Sequence, residues 1–233
     1  FVSMLFNEVE KALTVKNDAL IMRTINNMIG ETVYAQFSGS AITGAGGPKA
    51  VNLLSRFNTQ YSKSLTATQA ILDPDFIRYA AYNMALYVDR LTRMSTLFNV
   101  GGKQRFTPKD LQHIVMLSEF RAAADVFLQS NTFHDEYTKL VNAETVPFWQ
   151  GSGTDYAFGS TGTIDVTTAS GHNQTVTGIL GVIFDRDALG VTNLNRRVTT
   201  QWNAKAEFTN YFYKMDARYF NDLNENFVVF YVA

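Results

Sequence analysis

The chain has 233 residues, with 20 Lys and Arg against 21 Asp and Glu, so its formal net charge is -1. It contains no cysteine, which excludes disulfides, thiol catalysis and cysteine-based zinc sites. The balanced charge argues against a dedicated nucleic-acid binder, because such proteins carry a basic excess that neutralises several phosphates. The sequence has neither a run of about 18 apolar residues nor a signal-peptide pattern, so we expect no membrane span and no secretion signal.

The first quarter of the chain is predicted to be mainly helical. Apolar residues recur at helical spacing from Ser3 to Ile29, and Gly30 is a typical helix stop. A short strand is predicted at Val33 to Phe37, and the Gly- and Ser-rich run 38–49 predicts a loop. A second helix is predicted from Ala50 to Ser62.

The middle of the chain carries the clearest helix signals. Asp73 is a candidate cap, Pro74 suits a first turn, and apolar residues continue on one face as far as Phe98. The run "HIVML", His113 to Leu117, predicts a buried strand that leads into a helix from Ser118 to about Gln129.

From Phe148 onward, turn residues alternate with β-branched and aromatic runs, and the segment "FVVFYVA" from Phe227 is typical of a buried strand. Helices therefore come first and most of the sheet later. The predicted fold class is α+β.

A search for catalytic, nucleotide or metal motifs assigns no site. Gly39 and Gly44 have the glycine spacing of a phosphate-binding loop, but Ala45 stands where that motif requires lysine, so a solvated or partner-contacting loop is the better interpretation. The three histidines, His113, His134 and His172, show no ligand pairing. His134 with Asp135 or Glu136 remains a possible acid–base group.

The densest charged motif is Asp185-Arg186-Asp187, directly after an apolar run. The two carboxylates suit a divalent cation, but Arg186 between them opposes one, and a salt-bridged turn at a strand end is favoured. Arg196-Arg197 forms a small basic spot, too small for strong phosphate binding. No catalytic residue, cofactor site or metal site is predicted, and enzymatic activity is not expected.

Three long stretches carry a family resemblance. They are "RMSTLFNVGGKQRFTPKDLQHIVMLSEFRAAADVFLQS" from Arg93, "VPFWQGSGTDYAFGSTGTIDV" from Val146, and "GILGVIFDRDALGVTNLNRRVTTQWNAKAEF" from Gly178, followed by "YFNDLNENFVVFYVA" from Tyr219. These stretches resemble major capsid proteins of tailed double-stranded DNA bacteriophages. The resemblance implies the tailed-phage capsid fold, which encapsulins and the herpesvirus capsid floor share in outline.

In that fold, a long spine helix crosses a peripheral domain, and an axial domain meets its neighbours around symmetry axes. The resemblance implies a spine helix in residues 1–35, an axial domain in 36–171 and the return strands of the peripheral domain in 172–233. The N-terminal arm and extended loop that normally precede the spine helix are absent from the sequence, so we expect the chain to be a fragment of a longer protein.

The implied function is that of a structural subunit that forms pentamers and hexamers of itself and encloses double-stranded DNA without reading its sequence. Scaffolding, portal and decoration proteins are implied as possible partners, in a virion assembled in the host cytoplasm and without a membrane. Two alternatives remain: an encapsulin-like compartment shell and a hydrolase that uses His134.

Candidate contact residues between subunits fall into two classes. The first comprises charged residues for ion pairs: Asp185, Arg186, Asp187, Arg196 and Arg197. The second comprises aromatic packing anchors, for each of which a role in the chain's own core is equally open: Phe148, Trp149 and Trp202.

Overall fold

The computed structural model describes residues 2–39, 42, 44–129, 143–150 and 158–233, apart from the side chains of 2, 128, 129, 195 and 196. The helices in these ranges are α1 (Val2–Phe37), α2 (Leu53–Tyr61), α3 (Ala67–Ile71), α4 (Pro74–Leu91), α5 (Ser118–Gln129) and α6 (Phe158–Thr161), with a 3-10 turn at Lys109–Leu111. The strands are β1 (Ala50–Asn52), β2 (Gln112–Leu117), β3 (Glu144–Val146), β4 (Ile164–Thr167), β5 (Asn173–Val176), β6 (Ile179–Asp185), β7 (Leu189–Asn203), β8 (Phe208–Asn221) and β9 (Phe227–Tyr231). This mixed content with a long N-terminal helix confirms the predicted α+β class.

A five-stranded sheet with the strand order β1-β9-β6-β2-β3 forms the centre of the molecule. The two outer pairs, β1 with β9 and β2 with β3, are parallel, and the inner pairs are antiparallel. Every residue of β6 and β9 is buried, which explains their continuous apolar sequence. The sheet joins strands from both of the predicted units 36–171 and 172–233.

Helix α1 is one uninterrupted element of 36 residues, so the predicted stop at Gly30 and the predicted strand at Val33 to Phe37 are wrong. The buried face continues past the glycine, because Ile29 and Val33 are one helical turn apart and both are fully buried. Close packing against neighbouring side chains explains why a glycine occupies position 30. A Cβ at Gly30 would lie 2.9 Å from methyl groups of Val166 and Thr168.

The predicted helix at Ala50 is wrong for its first three residues. Ala50 to Asn52 form β1, because they lie in parallel register with Val229 to Tyr231 of β9. Helix α2 starts at Leu53, where the Asn52 side chain accepts a hydrogen bond of 3.1 Å from the backbone N–H of Ser55. A pairing partner 179 positions along the chain leaves no signal in the local sequence.

The remaining predictions for the middle of the chain hold with one change. Asp73 caps α4 by accepting from the N–H groups of Asp75 and Phe76, as the sequence indicates. The helix ends at Leu91 instead of reaching Phe98. The predicted strand before residue 118 is β2, and the predicted helix after it is α5.

Candidate assembly surfaces

Strands β7 and β8 form a long two-stranded ribbon that pairs with no other strand among the described residues. One face of this ribbon lies on α1. The Phe6 ring meets Tyr211 and Tyr213 edge to face, with ring centroids 5.7 and 5.4 Å apart. At the base of the ribbon, the Asn221 amide donates to the carbonyl of Thr24 at 3.3 Å. The Tyr213 hydroxyl is buried, and this desolvation raises the pKa of its phenol.

The opposite face of the ribbon carries exposed aromatic side chains. Phe208, Phe212 and Phe220 are an even number of residues apart, so they point to the same side, and they are 46%, 51% and 50% exposed. Leu194 lies opposite Asp216 and shares this face. We call this surface the outer ribbon face. An isolated two-stranded ribbon is marginal in water, and exposed apolar patches of this kind mark interaction sites.

Charged side chains surround the aromatic residues of the outer ribbon face. Lys214 and Asp216 form an ion pair of 3.3 Å, and both side chains are about half exposed. Arg197 lies directly opposite Lys214, and Arg218 lies opposite Thr192. Aromatic residues and arginine are enriched in protein interfaces, whose rims are polar.

The predicted charged cluster is divided between interior and surface. Asp185 is 5% exposed, and its carboxylate accepts hydrogen bonds from the Thr107 hydroxyl at 2.6 Å and from the Asp187 N–H at 2.9 Å. Its side chain is therefore engaged within the chain rather than turned toward a neighbour. Arg186 and Asp187 are exposed and remain candidates for ion pairs between subunits. Arg197 is exposed on the ribbon, and the side chain of Arg196 lies outside the described residues.

The three predicted aromatic anchors occupy different environments. Trp149 is 1% exposed, and its indole N–H donates to the carbonyl of Ile179 at 3.0 Å, so it belongs to the core. Phe148 is half-buried beside α1. Trp202 is 60% exposed near the end of the ribbon. The structure therefore leaves Phe148 and Trp202 available for contacts with other molecules.

Sequence reasoning missed the outer ribbon face. Its signal is the segment "FTNYFYKMDARYF", in which Phe208, Phe212 and Phe220 lie on one side of an alternating strand. Alternation predicts which residues share a side of a strand. It does not reveal which side of the strand packs against a helix.

The described residues contain no cluster of three metal-ligating side chains. His113 lies beside Phe184 with ring centroids 5.8 Å apart, and His172 lies flat on Tyr34 at 3.6 Å. The candidate acid–base group of His134 with Asp135 or Glu136 lies outside the described residues.

The glycine-rich run 38–49 folds back on β1 where it is described. The Gly47 N–H donates to the carbonyl of Ala50 at 2.8 Å. Gly46 has a φ of +68°, and a Cβ there would overlap the same carbonyl. These glycines therefore have a structural explanation in this turn.

Although α1 is long, neither it nor any other helix in the described ranges carries an apolar stretch sufficient to cross a bilayer.

Comparison with known proteins identifies the family of this chain. A search of curated proteins finds no match. Among solved structures, a chain in the capsid structure of Staphylococcus phage Andhra is similar over 98% of this chain and 65% of that chain, with 9% identity and a TM-score of 0.42. This chain thus spans slightly less than two thirds of that one. The model of the Phi29-like phage major capsid protein family matches residues 1–231, and the chain therefore belongs to this family.

Proposed function

We propose that copies of this chain assemble into an icosahedral phage capsid, in which pentamers and hexamers enclose double-stranded DNA. Family membership supports a structural role in the virion, and nothing in the comparisons supports a compartment shell or a hydrolase. No catalytic step enters this proposal. The DNA is held by enclosure, which suits a chain with a net charge of -1.

The observation that carries the proposal is the outer ribbon face. Phe208, Phe212 and Phe220 expose about half of their surface on a ribbon that pairs with no other strand in the described part of the chain. Burying such a face against a neighbouring subunit removes apolar surface from water, at roughly 25 cal/mol per Å². A lattice of many copies multiplies a contact that is modest in each pair.

The proposed division into units follows the predicted one with an amendment. Residues 1–35 supply the spine helix, 36–171 the axial domain and 172–233 the return strands. Because β5, β6 and β9 pair with strands of the 36–171 unit, we assign these three strands to the axial domain. The peripheral domain then consists of α1 and the ribbon.

The same proposal includes scaffolding, portal and decoration proteins as partners, and assembly in the host cytoplasm.

The test is assembly of the full chain, monitored by sedimentation velocity and electron microscopy. The parent chain should form capsomers or shells. Phe212→Glu should reduce assembly strongly, because it places a charge in the apolar contact. Gln60→Glu adds the same charge at an exposed position of α2 and should assemble like the parent. A parent chain that stays monomeric at all concentrations would contradict the proposed function.

A further inference from the structure

The ribbon has two long strand edges that face away from each other. Neither β7 nor β8 pairs with a third strand among the described residues, so each presents a row of backbone N–H and C=O groups along its outer edge. Edges of this kind bind a further strand through main-chain hydrogen bonds. A ribbon of two strands is marginal alone and gains stability when more strands join it.

The edge of β7 is poorly suited to such pairing. Its register with β8 shifts between Leu194 and Arg197, so that two residues of β7 stand opposite Met215 and form a bulge. The β7 sequence also contains Arg196 and Arg197 and no acidic residue, so two β7 strands side by side would repel each other. Bulges and basic residues are common means by which proteins keep a strand edge unpaired.

The edge of β8 has none of these obstacles. The strand runs from Phe208 to Asn221 without Pro or Gly, and the extra residue of the bulge lies in β7. It also carries both signs of charge at its centre. Lys214 and Asp216 are two positions apart, so both point to the outer ribbon face. The β8 edge is therefore the one on which a partner strand fits.

The charges of β8 are complementary to those of a second β8 that runs antiparallel to it. A two-fold axis at Met215 places Lys214 of each copy opposite Asp216 of the other. An axis at Lys214 or at Asp216 would instead place like charges opposite each other, and so would a parallel pairing in register. The axis at Met215 also pairs nearly the whole strand, residues 209–221. Charge and paired length together favour this register.

The same register brings exposed aromatic residues of β8 into pairs. On the outer ribbon face, Phe212 of one copy lies opposite Arg218 of the other, which suits a cation–π contact. On the side of α1, Tyr211 lies opposite Tyr219, and these residues are 44% and 48% exposed in the single chain. Aromatic pairs across neighbouring strands stabilise a sheet.

Helix α1 leaves room for this pairing. It contacts both strands of its own ribbon, and a two-fold axis perpendicular to the sheet keeps the two helices on the same side. Neighbouring strands are about 4.8 Å apart, so the two ribbons, and the helices on them, would be roughly 10 Å apart. This is an ordinary distance between packed helices.

We propose that the β8 edge pairs antiparallel with the β8 edge of a second copy around a two-fold axis at Met215, an inference that rests on the proposed self-assembly. The two ribbons form one four-stranded sheet in the order β7-β8-β8-β7, and their outer ribbon faces become one continuous surface. Both copies use the same residues, so the contact is isologous and joins two copies only. Other surfaces then supply the contacts around pentamers and hexamers.

Cysteine crosslinking tests the register directly, because the chain has no native cysteine. Met215→Cys places one thiol of each copy at the two-fold axis, where directly opposite Cα atoms of antiparallel strands are about 4.5–5.5 Å apart. This separation suits a disulfide. Oxidation of assembled Met215→Cys chains should therefore give disulfide-linked dimers.

Ala217→Cys is the matched control. Ala217 points to the same side of β8 as Met215 and is half-buried like it. In the proposed register the two copies of Ala217 lie about 13 Å apart along the strands, too far for a disulfide. If electron microscopy shows shells but Met215→Cys crosslinks no more than Ala217→Cys, the edge pairing is overturned while the proposed function stands. A parent chain that forms no particles contradicts the proposed function, and this contact with it.

Charge reversal in separate chains tests the contact between copies. Lys214 and Asp216 form an exposed ion pair within the chain, so changing either residue should preserve folding. Lys214→Glu and Asp216→Lys each place like charges opposite each other at two symmetric positions. Each variant alone should therefore raise the critical concentration for assembly about tenfold.

Mixing the two variants separates this contact from effects within one chain. Where a Lys214→Glu chain meets an Asp216→Lys chain, the new glutamate faces the new lysine, and the unchanged residues face each other. An equimolar mixture should therefore assemble near the parent concentration, although like charges remain adjacent within each chain. A mixture that assembles no better than the separate variants would contradict the proposed pairing of charges.

Discussion

The hydroxyl of Thr107 donates a hydrogen bond of 2.6 Å to the buried carboxylate of Asp185, at the end of the central strand β6. The Asn226 amide donates to the same hydroxyl at 3.1 Å, just before β9 begins. Three polar side chains from separate parts of the chain thus meet at one end of the sheet. This arrangement explains why a charged residue can end a fully buried strand.

We expect Thr107→Val to lower the free energy of unfolding by about 3 kcal/mol, because a buried carboxylate loses a charge-assisted hydrogen bond while the volume is kept. Thr59→Val is the matched control. Thr59 is exposed and bonds only within its helix, so the change should be within about 0.5 kcal/mol. Urea unfolding of the unassembled chain, followed by circular dichroism, measures both. Equal effects at the two sites would contradict the structural role of the Thr107 hydrogen bond.

Gly30→Ala should destabilise the fold although alanine favours helices by about 1 kcal/mol over glycine. The new Cβ would lie 2.9 Å from methyl groups of Val166 and Thr168, and overpacking of this kind costs about 1–3 kcal/mol. Gly159→Ala is the control, because a Cβ there meets no atom within 4 Å. Thermal unfolding should show a lower midpoint for the first variant only. A stabilised Gly30→Ala protein would show that α1 and β4 separate easily.

Two variants of Asn52 should separate its roles. Its oxygen caps α2 at Ser55, and its amide donates to the carbonyls of Gly44 and Ala233 at 3.1 and 2.8 Å. The oxygen also accepts from the Ala233 N–H at 3.5 Å, so Asn52→Asp keeps the two bonds to the oxygen and loses both amide bonds, whereas Asn52→Ala loses all four. We expect losses in unfolding free energy of about 2 kcal/mol for Asp and about 3 kcal/mol for Ala, measured by urea unfolding. Equal losses would show that the cap contributes nothing.

Alkaline titration should identify Tyr231. Burial raises the pKa of its phenol to about 12, and the positive charge of Arg56 only partly opposes this. The folded state holds this proton more tightly than the unfolded state, whose phenol has a pKa near 10. The protonated Tyr231 phenol therefore makes its full contribution to the free energy of unfolding below about pH 10. This contribution is lost as the pH rises toward 12.

The Tyr231 hydroxyl is also buried without a hydrogen-bond partner in the described part of the chain. Tyr231→Phe should therefore leave stability at pH 7 unchanged or slightly increased, since no hydrogen bond is lost. It should also flatten the fall in stability between pH 10 and 12, measured by urea unfolding at each pH. A marked loss of stability at pH 7 would contradict this account of the hydroxyl.

Local signals in the sequence predicted the elements that local interactions determine. The Asp73 cap and Pro74 place the start of α4, and the segment from Ser118 forms α5 as expected. Long-range pairing was not predictable in the same way. Ala50 to Asn52 form a strand only because β9 lies beside them. Gly30 does not end α1, and its lack of a side chain leaves room for Val166 of β4.

The same distinction holds for the candidate contact surfaces. The sequence proposes contact residues near positions 148, 185 and 202, but only the fold separates Trp149 and Asp185, which are buried, from the exposed Trp202. The groove that lies between α1, residues 148–150 and β4 has no sequence signature, since three separate segments form it.

The strand order has a consequence for biosynthesis. β9 lies between β1 and β6, so the sheet stays open along its middle until residues 227–231 have left the ribosome. Contacts between segments this far apart in sequence form slowly, and partly made chains cannot complete the core that supports α1 and the ribbon. A chain interrupted during translation therefore lacks the sheet on which every proposed contact surface depends.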